Sequence, residues 1–223
     1  MAARVLLLTG FEPFGDDGRN PSLEIARSLS GRVIDGCRIV GVELPVDTLA
    51  LPERMAELLA EWGQELAGVV QVGLANGRAA IGLERVAINC RDFPIPDNAG
   101  NQPMGLPCVA GGPAAYFSTL PLRQALVDLR KAGVPAFISN TAGTYLCNQA
   151  MYTTLHLLEK RELAVPAGFV HVPYLPEQVA ARGEGLPSLA FEVALRAAEI
   201  ILLAVATATP GAPGPEIVAG AVS

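Results

Sequence analysis

Cys147 follows the small, polar, turn-like run Ser139-Asn140-Thr141-Ala142-Gly143-Thr144-Tyr145-Leu146 and opens a helical pattern. A cysteine in the first turn of a helix meets exposed backbone N–H groups and the positive end of the helix dipole. Both favour a thiolate over a free thiol of pKa about 8.5. With Thr144 as the expected N-cap, the same N–H groups are placed to hold an oxyanion. A packing role also fits: Cys147, Met151, Thr154, Leu155 and Leu158 form one apolar helical stripe, and free cysteine is among the most buried residue types.

A nucleophilic thiol needs a base, and the base needs a group to orient it. The chain has two histidines. His156 falls on the helix face turned away from Cys147 and reads as a packing or surface residue. His171 ends a strand pattern just before Pro173, which stops the ladder. It is either packed among Phe169, Val170 and Pro173 or the base for Cys147. Glu84 shares a strand face with Val86 and Ile88 by alternation, and a carboxylate on an apolar face needs a partner. That partner is solvent, a neighbouring arginine such as Arg78 or Arg85, or a histidine. Cys147, His171 and Glu84 together would follow triad logic: attacking sulfur, proton carrier and orienting carboxylate.

The elements that must position these groups alternate. Strand signals lie at 5–8, 37–44, 69–72, 85–89, 136–139 and 169–172, and helical patterns at 22–29, 51–62, 114–131, 145–160 and 188–206. Alternating β and α with nearly continuous apolar strands predicts an α/β fold. The expected form is a single-domain three-layer sandwich with a twisted, mostly parallel sheet and helices on both faces. Residues 1–208 form the expected domain and 209–223 a flexible tail. The Pro- and Gly-rich stretch 93–112 reads as a long functional loop.

Lys plus Arg total 16 against 22 Asp plus Glu, a net charge of −6 without a basic cluster, which argues against nucleic acid and anionic membrane as partners. The apolar run 5–8 is too short for a signal sequence, and no stretch suits a membrane span. Cys37, Cys90, Cys108 and Cys147 are irregularly spaced, as reduced thiols of a cytoplasmic protein would be. Neither GxxxxGK[ST] nor GxGxxG occurs, against a phosphorolytic or nucleotide-binding reading. Two isolated histidines without HExxH offer no metal ligand set, so no cofactor is expected.

Four segments carry a resemblance: the run 139–148 quoted above; Thr9-Gly10-Phe11-Glu12-Pro13-Phe14-Gly15; Glu84-Arg85-Val86-Ala87-Ile88-Asn89 with Ile95-Pro96-Asp97-Asn98; and Phe169-Val170-His171-Val172-Pro173-Tyr174-Leu175-Pro176. In this order and spacing the chain resembles the pyroglutamyl peptidase I family of cysteine peptidases. The resemblance implies hydrolysis of the amide after an N-terminal pyroglutamyl residue through a thioacyl-enzyme, with Cys147 as nucleophile, His171 as base and Glu84 as orienter. It implies substrate-binding roles for Phe11, Phe14, Asn20 and Leu146. A neutral lactam lacks the ammonium group that ordinary aminopeptidases grip, so aromatic walls and hydrogen bonds suit it. It also implies a homo-oligomer, tetramer or dimer, for which the apolar loop 104–109 offers a surface.

Departures from the family pattern fall near binding positions. Leu74 stands where glutamine is common and Asn76 where glycine is. Pro94 replaces an arginine, with Arg91 three residues earlier, and Gln149 replaces a histidine, leaving His171 as the base. Leu74 keeps open an alternative, a thiol amidase or esterase of different acyl specificity.

Overall fold

The computed structural model describes residues 4–15, 17–183, 185–209 and 214–219. The apolar run near the N-terminus forms β1 (Arg4–Phe11), a buried strand paired in parallel with β3 (Cys37–Leu44) and β4 (Leu66–Leu74). A short β2 (Val33–Ile34) flanks β3 antiparallel at the sheet edge. β9 (Ala167–Val172) continues the parallel set beside β4. There the direction reverses: β5 (Ile81–Glu84) runs antiparallel to β9, and β8 (Ala136–Ser139) lies parallel to β5 at the far edge. The order is β2-β3-β1-β4-β9-β5-β8, with four of six pairings parallel.

One face of the sheet is covered by α1 (Pro21–Leu29), α3 (Leu122–Lys131) and α6 (Phe191–Ala206), the other by α2 (Ala50–Trp62) and α4 (Leu146–Lys160). The alternation of the strands divides the core accordingly: Leu6, Leu8, Val70, Val72, Leu83 and Val170 face the first layer, and Val5, Leu7, Val69 and Phe169 the second. The three-layer α/β sandwich expected from the sequence is the fold observed.

Three segments differ from expectation. The strand expected over 85–89 is broken at Arg85, whose N–H donates to the Ser139 carbonyl while its own carbonyl accepts from Ser118. Beyond it, β6 (Val86–Ile88) pairs with β7 (Ala115–Phe117) in a separate two-stranded sheet. Glu84 therefore shares its face with Gly82 in the main sheet, not with Val86 and Ile88. The helix expected from 114 begins only at Leu122, because 115–117 is taken up by that small sheet. A helix not anticipated, α5 (Pro176–Arg182), follows β9; Pro176 opens it, the Gln178 side chain accepts from Leu175 N–H at 3.0 Å, and Gly183 closes it at φ 67°.

Of the tail expected from residue 209, positions 210–213 and 220–223 lie outside the described residues. Positions 214–219 lie beside the α3 layer, where Arg123 donates to the Ile217 carbonyl at 2.7 Å and Arg85 to that of Ala219 at 2.9 Å. Among the described residues no helix is long and apolar enough to cross a membrane.

Candidate active site

His171, near the end of β9, lies in register with Gly73 on β4 and Gly82 on β5. Glu84, two residues beyond Gly82 on the same face, is its diagonal neighbour across the antiparallel pair. The diagonal brings His171 Nδ1 to 2.7 Å from Glu84 Oε1, with the carboxylate fully buried. A carboxylate only accepts, so Nδ1–H donates and Nε2 keeps its lone pair as the basic atom. Arg78 Nη1 donates to the same Oε1 at 2.7 Å, its guanidinium lying over the Phe137 ring. Burial alone would raise the Glu84 carboxyl, but the bond and charge of His171, with Arg78 alongside, hold it below the usual carboxylate value. Burial pulls the imidazole below its ordinary value, and Glu84 offsets only part of this.

The two glycines of this row leave room for chemistry. A Cβ on Gly73 would sit 2.6 Å from Phe169 Cζ and 2.9 Å from Cys147 Sγ, and one on Gly82 would meet Arg78 Nη1 at 2.5 Å. Cys147 is the second residue of α4, and its sulfur rests over the bare backbone of Gly73, on the face that carries His171. The helix begins differently from expectation. Thr144 donates its hydroxyl to the Asp92 carbonyl, Tyr145 takes the cap position, and no side chain caps the first turn. The orphan N–H groups of that turn stay available to an oxyanion. The expected depression of the thiol is not what the surroundings produce. Burial, with the Glu84 charge nearby, pushes Cys147 up to about 12 against the opposing pull of Arg78 and of its own backbone N–H. Both shifts favour the neutral forms of thiol and imidazole.

Cys147 and His171 open into one cavity of about 510 Å³. Phe14, Tyr145, Pro94 and Ile95 are among its lining residues, with the Phe14 and Tyr145 ring centroids 6.4 Å apart. The loop carrying Phe14 is held by Glu12, whose Oε1 accepts from Val46 N–H at 2.8 Å and from Asn98 at 3.0 Å. Asn98 also donates to the Pro13 carbonyl. Asp97 accepts from the N–H groups of Thr48, Ala99 and Asn101, which hold its carboxyl below the usual value although burial alone would raise it. The expected long loop is thus strapped to its neighbours by side chains.

Of the residues expected to bind substrate, Phe14 lines this cavity and three side chains do not. Phe11 is buried against Phe169, with ring centroids 6.3 Å apart. Leu146 is turned into the core. Asn20 caps α1: its Oδ1 accepts from Ser22 N–H and from the Ser22 hydroxyl, and its amide donates to the Glu12 carbonyl. Of the departures, Leu74, Asn76 and Pro94 line the cavity. Arg91 instead donates to the Thr48 hydroxyl at 3.0 Å and to the Pro107 carbonyl. Gln149 is buried against Thr48, donating to its carbonyl and accepting from its hydroxyl. Residues the sequence reading passed over are Tyr145 and Tyr174, both on the cavity. Their one sequence signal was adjacency, two residues before Cys147 and three after His171. His156 packs away from the site, its Nδ1 at 2.9 Å from the Tyr116 hydroxyl.

A cysteine at a bare helix N-terminus, over a sheet that presents a buried histidine–carboxylate pair, is the arrangement of an α/β thiol hydrolase. Comparison with known proteins narrows this class. The family model for pyroglutamyl peptidase matches residues 4–208. Pyrrolidone-carboxylate peptidase of Escherichia fergusonii is 44% identical over 203 residues, covering 90% of this chain and 92% of the relative. That of Cupriavidus necator is 48% identical over 206 residues, covering 92% and 93%. Among solved structures, Bacillus amyloliquefaciens pyroglutamyl peptidase I superposes with a TM-score of 0.87 at 36% identity, covering 92% of this chain and 98% of that one. A mutant pyrrolidone carboxyl peptidase from P. furiosus gives 0.86 at 41%, covering 91% and 97%. The chain belongs to the pyroglutamyl peptidase family. None of these relatives' names points to the alternative amidase or esterase.

Proposed function

We propose that the chain removes N-terminal pyroglutamate from peptides, with Cys147 as nucleophile, His171 as general base and acid, and Glu84 as the group that fixes the ring. The observation that carries the roles is the buried 2.7 Å bond between His171 Nδ1 and Glu84 Oε1, opening into the cavity that holds Cys147. With the thiol pushed up by burial, sulfur and proton part at the moment of attack: Nε2 takes the proton as sulfur bonds to the pyroglutamyl carbonyl carbon. The oxyanion forms against the uncapped N–H groups of the first turn of α4. Imidazolium then protonates the leaving nitrogen, the C–N bond breaks and a thioester remains. Water, deprotonated by Nε2, attacks the thioester carbon, and pyroglutamate leaves as the thiol takes back its proton. Phe14 and Tyr145 suit a flat neutral ring, and no charged group is needed there. Leu74 supplies no hydrogen bond to the lactam and the Asn20 side chain is engaged elsewhere, whereas Asn76 and Thr141 line the cavity with polar side chains.

The test is release of a fluorescent amine from a pyroglutamyl amide by the protein, by Cys147→Ala and by protein treated with iodoacetamide. Activity confined to the untreated protein is expected; equal activity in Cys147→Ala would sink the assignment. Two further readings belong to the same proposal. Four free cysteines suit a reducing cytoplasmic setting. Met104 and Leu106, exposed at 76% and 49%, suit a homo-oligomeric contact, to be checked by sedimentation at micromolar concentration.

A further inference from the structure

The catalytic cavity does not end at His171. It shares Asp17 and Arg182 with a second cleft of about 460 Å³, bounded by Gly18 and Arg19 on one side and by Glu177, Gln178 and Ala181 of α5 on the other. The junction is built: Arg182 Nη2 lies 2.7 Å from Asp17 Oδ2, and its guanidinium covers the Tyr174 ring at 4.9 Å. The buried Gln178 side chain joins the two walls, donating to the Arg19 carbonyl at 3.4 Å while accepting from Leu175 N–H.

We infer that this cleft is the subsite for the peptide that follows the pyroglutamyl residue, and that its ligand is an extended peptide segment. The inference rests on the proposed peptidase reading and extends it. The group that protonates the leaving nitrogen must stand beside it, so the departing peptide runs along the elements that border His171. From His171 the chain passes through Tyr174 directly into α5, the wall of the second cleft. Phe14, Tyr145 and Pro94, which line the catalytic cavity but not the second cleft, are left to the ring. Among the described residues the charges around the cleft are engaged with one another: Asp17 with Arg182, and Arg19 with Glu24 and, through space, with Glu177. Groups engaged in this way offer a peptide backbone polar edges.

The experiment compares kcat/KM for a pyroglutamyl amide of a small fluorescent amine with that for a pyroglutamyl pentapeptide of uncharged residues. Both substrates are given to the unaltered protein and to Ala181→Trp, which fills the second cleft from an exposed position. The peptide-to-amide ratio is expected to fall about tenfold in the variant, near 1.4 kcal/mol, with the loss carried by KM. Ala181→Gln, a smaller intrusion, should shift the ratio the same way and covers a tryptophan variant that does not fold. A ratio unchanged in both variants overturns the subsite and leaves the peptidase reading standing. Failure of the unaltered protein to cleave the small amide overturns the peptidase reading and the subsite with it.

Discussion

His171 and Arg78 meet on one oxygen of Glu84, and Glu84 and Arg78 push the imidazole in opposite directions. Glu84 raises the imidazole and Arg78 lowers it, while burial, the largest influence, lowers it as well. If His171 must be neutral to accept the thiol proton, the acid limb of kcat/KM lies below the ordinary imidazole value of about 6.5. Glu84→Gln should move that limb further down in pH and reduce kcat by about 10²–10⁴-fold. Arg78→Met, which removes a lowering influence, should move it up. The pH profiles of the two variants decide the matter, since shifts in the same direction are incompatible with this arrangement. Gly73→Ala probes the same spot by volume. Its Cβ collides with Phe169 and Cys147, so stability should fall by about 1–3 kcal/mol in denaturant titrations and activity by more than tenfold. Cys147, His171 and Glu84 were legible in sequence because thiols and imidazoles are scarce here and a carboxylate on an apolar strand is conspicuous. Arg78 stood there as one candidate partner of Glu84; that it and His171 share a single oxygen was not legible, because this depends on strand register and on the missing side chain of Gly82.

At the scale of elements, the alternation of apolar strands with helical patterns revealed the layers, and the apolar runs located β1, β3, β4, β8 and β9 to within a few residues. Two features escaped. The break at Arg85 interrupts no hydrophobic pattern; it exists because Ser139 and Ser118 take up the backbone groups of that residue. The seven-residue α5 is too short to show helical periodicity, and only Pro176 at its start and Gly183 after its end announce it. The loop over the cavity was visible as a Pro- and Gly-rich stretch, but its straps were not. They make it rigid enough to test: Asp97→Ala removes the acceptor for three backbone N–H groups. It should cost about 1–3 kcal/mol of stability, read as a lower melting temperature. It should also raise KM for pyroglutamyl amides, because Pro94 and Ile95 lose their anchorage.

For the whole molecule, charge pointed away from nucleic acid, and the alternation of strand and helix patterns pointed toward the α/β class. They said nothing of which strand pairs with which, and the reversal between β9 and β5 is the feature on which the site turns. It joins His171 to a carboxylate 87 residues earlier in the chain. Contacts of that separation close late, after local helices and neighbouring strands have formed. The catalytic unit therefore comes into being only when the last part of the central sheet zips shut, and a partly folded chain carries a thiol without its oriented base. Activity becomes a clock for folding. In stopped-flow refolding its recovery should coincide with or trail the tertiary fluorescence signal, and recovery that runs ahead of that signal would show that the pair forms before the sheet does.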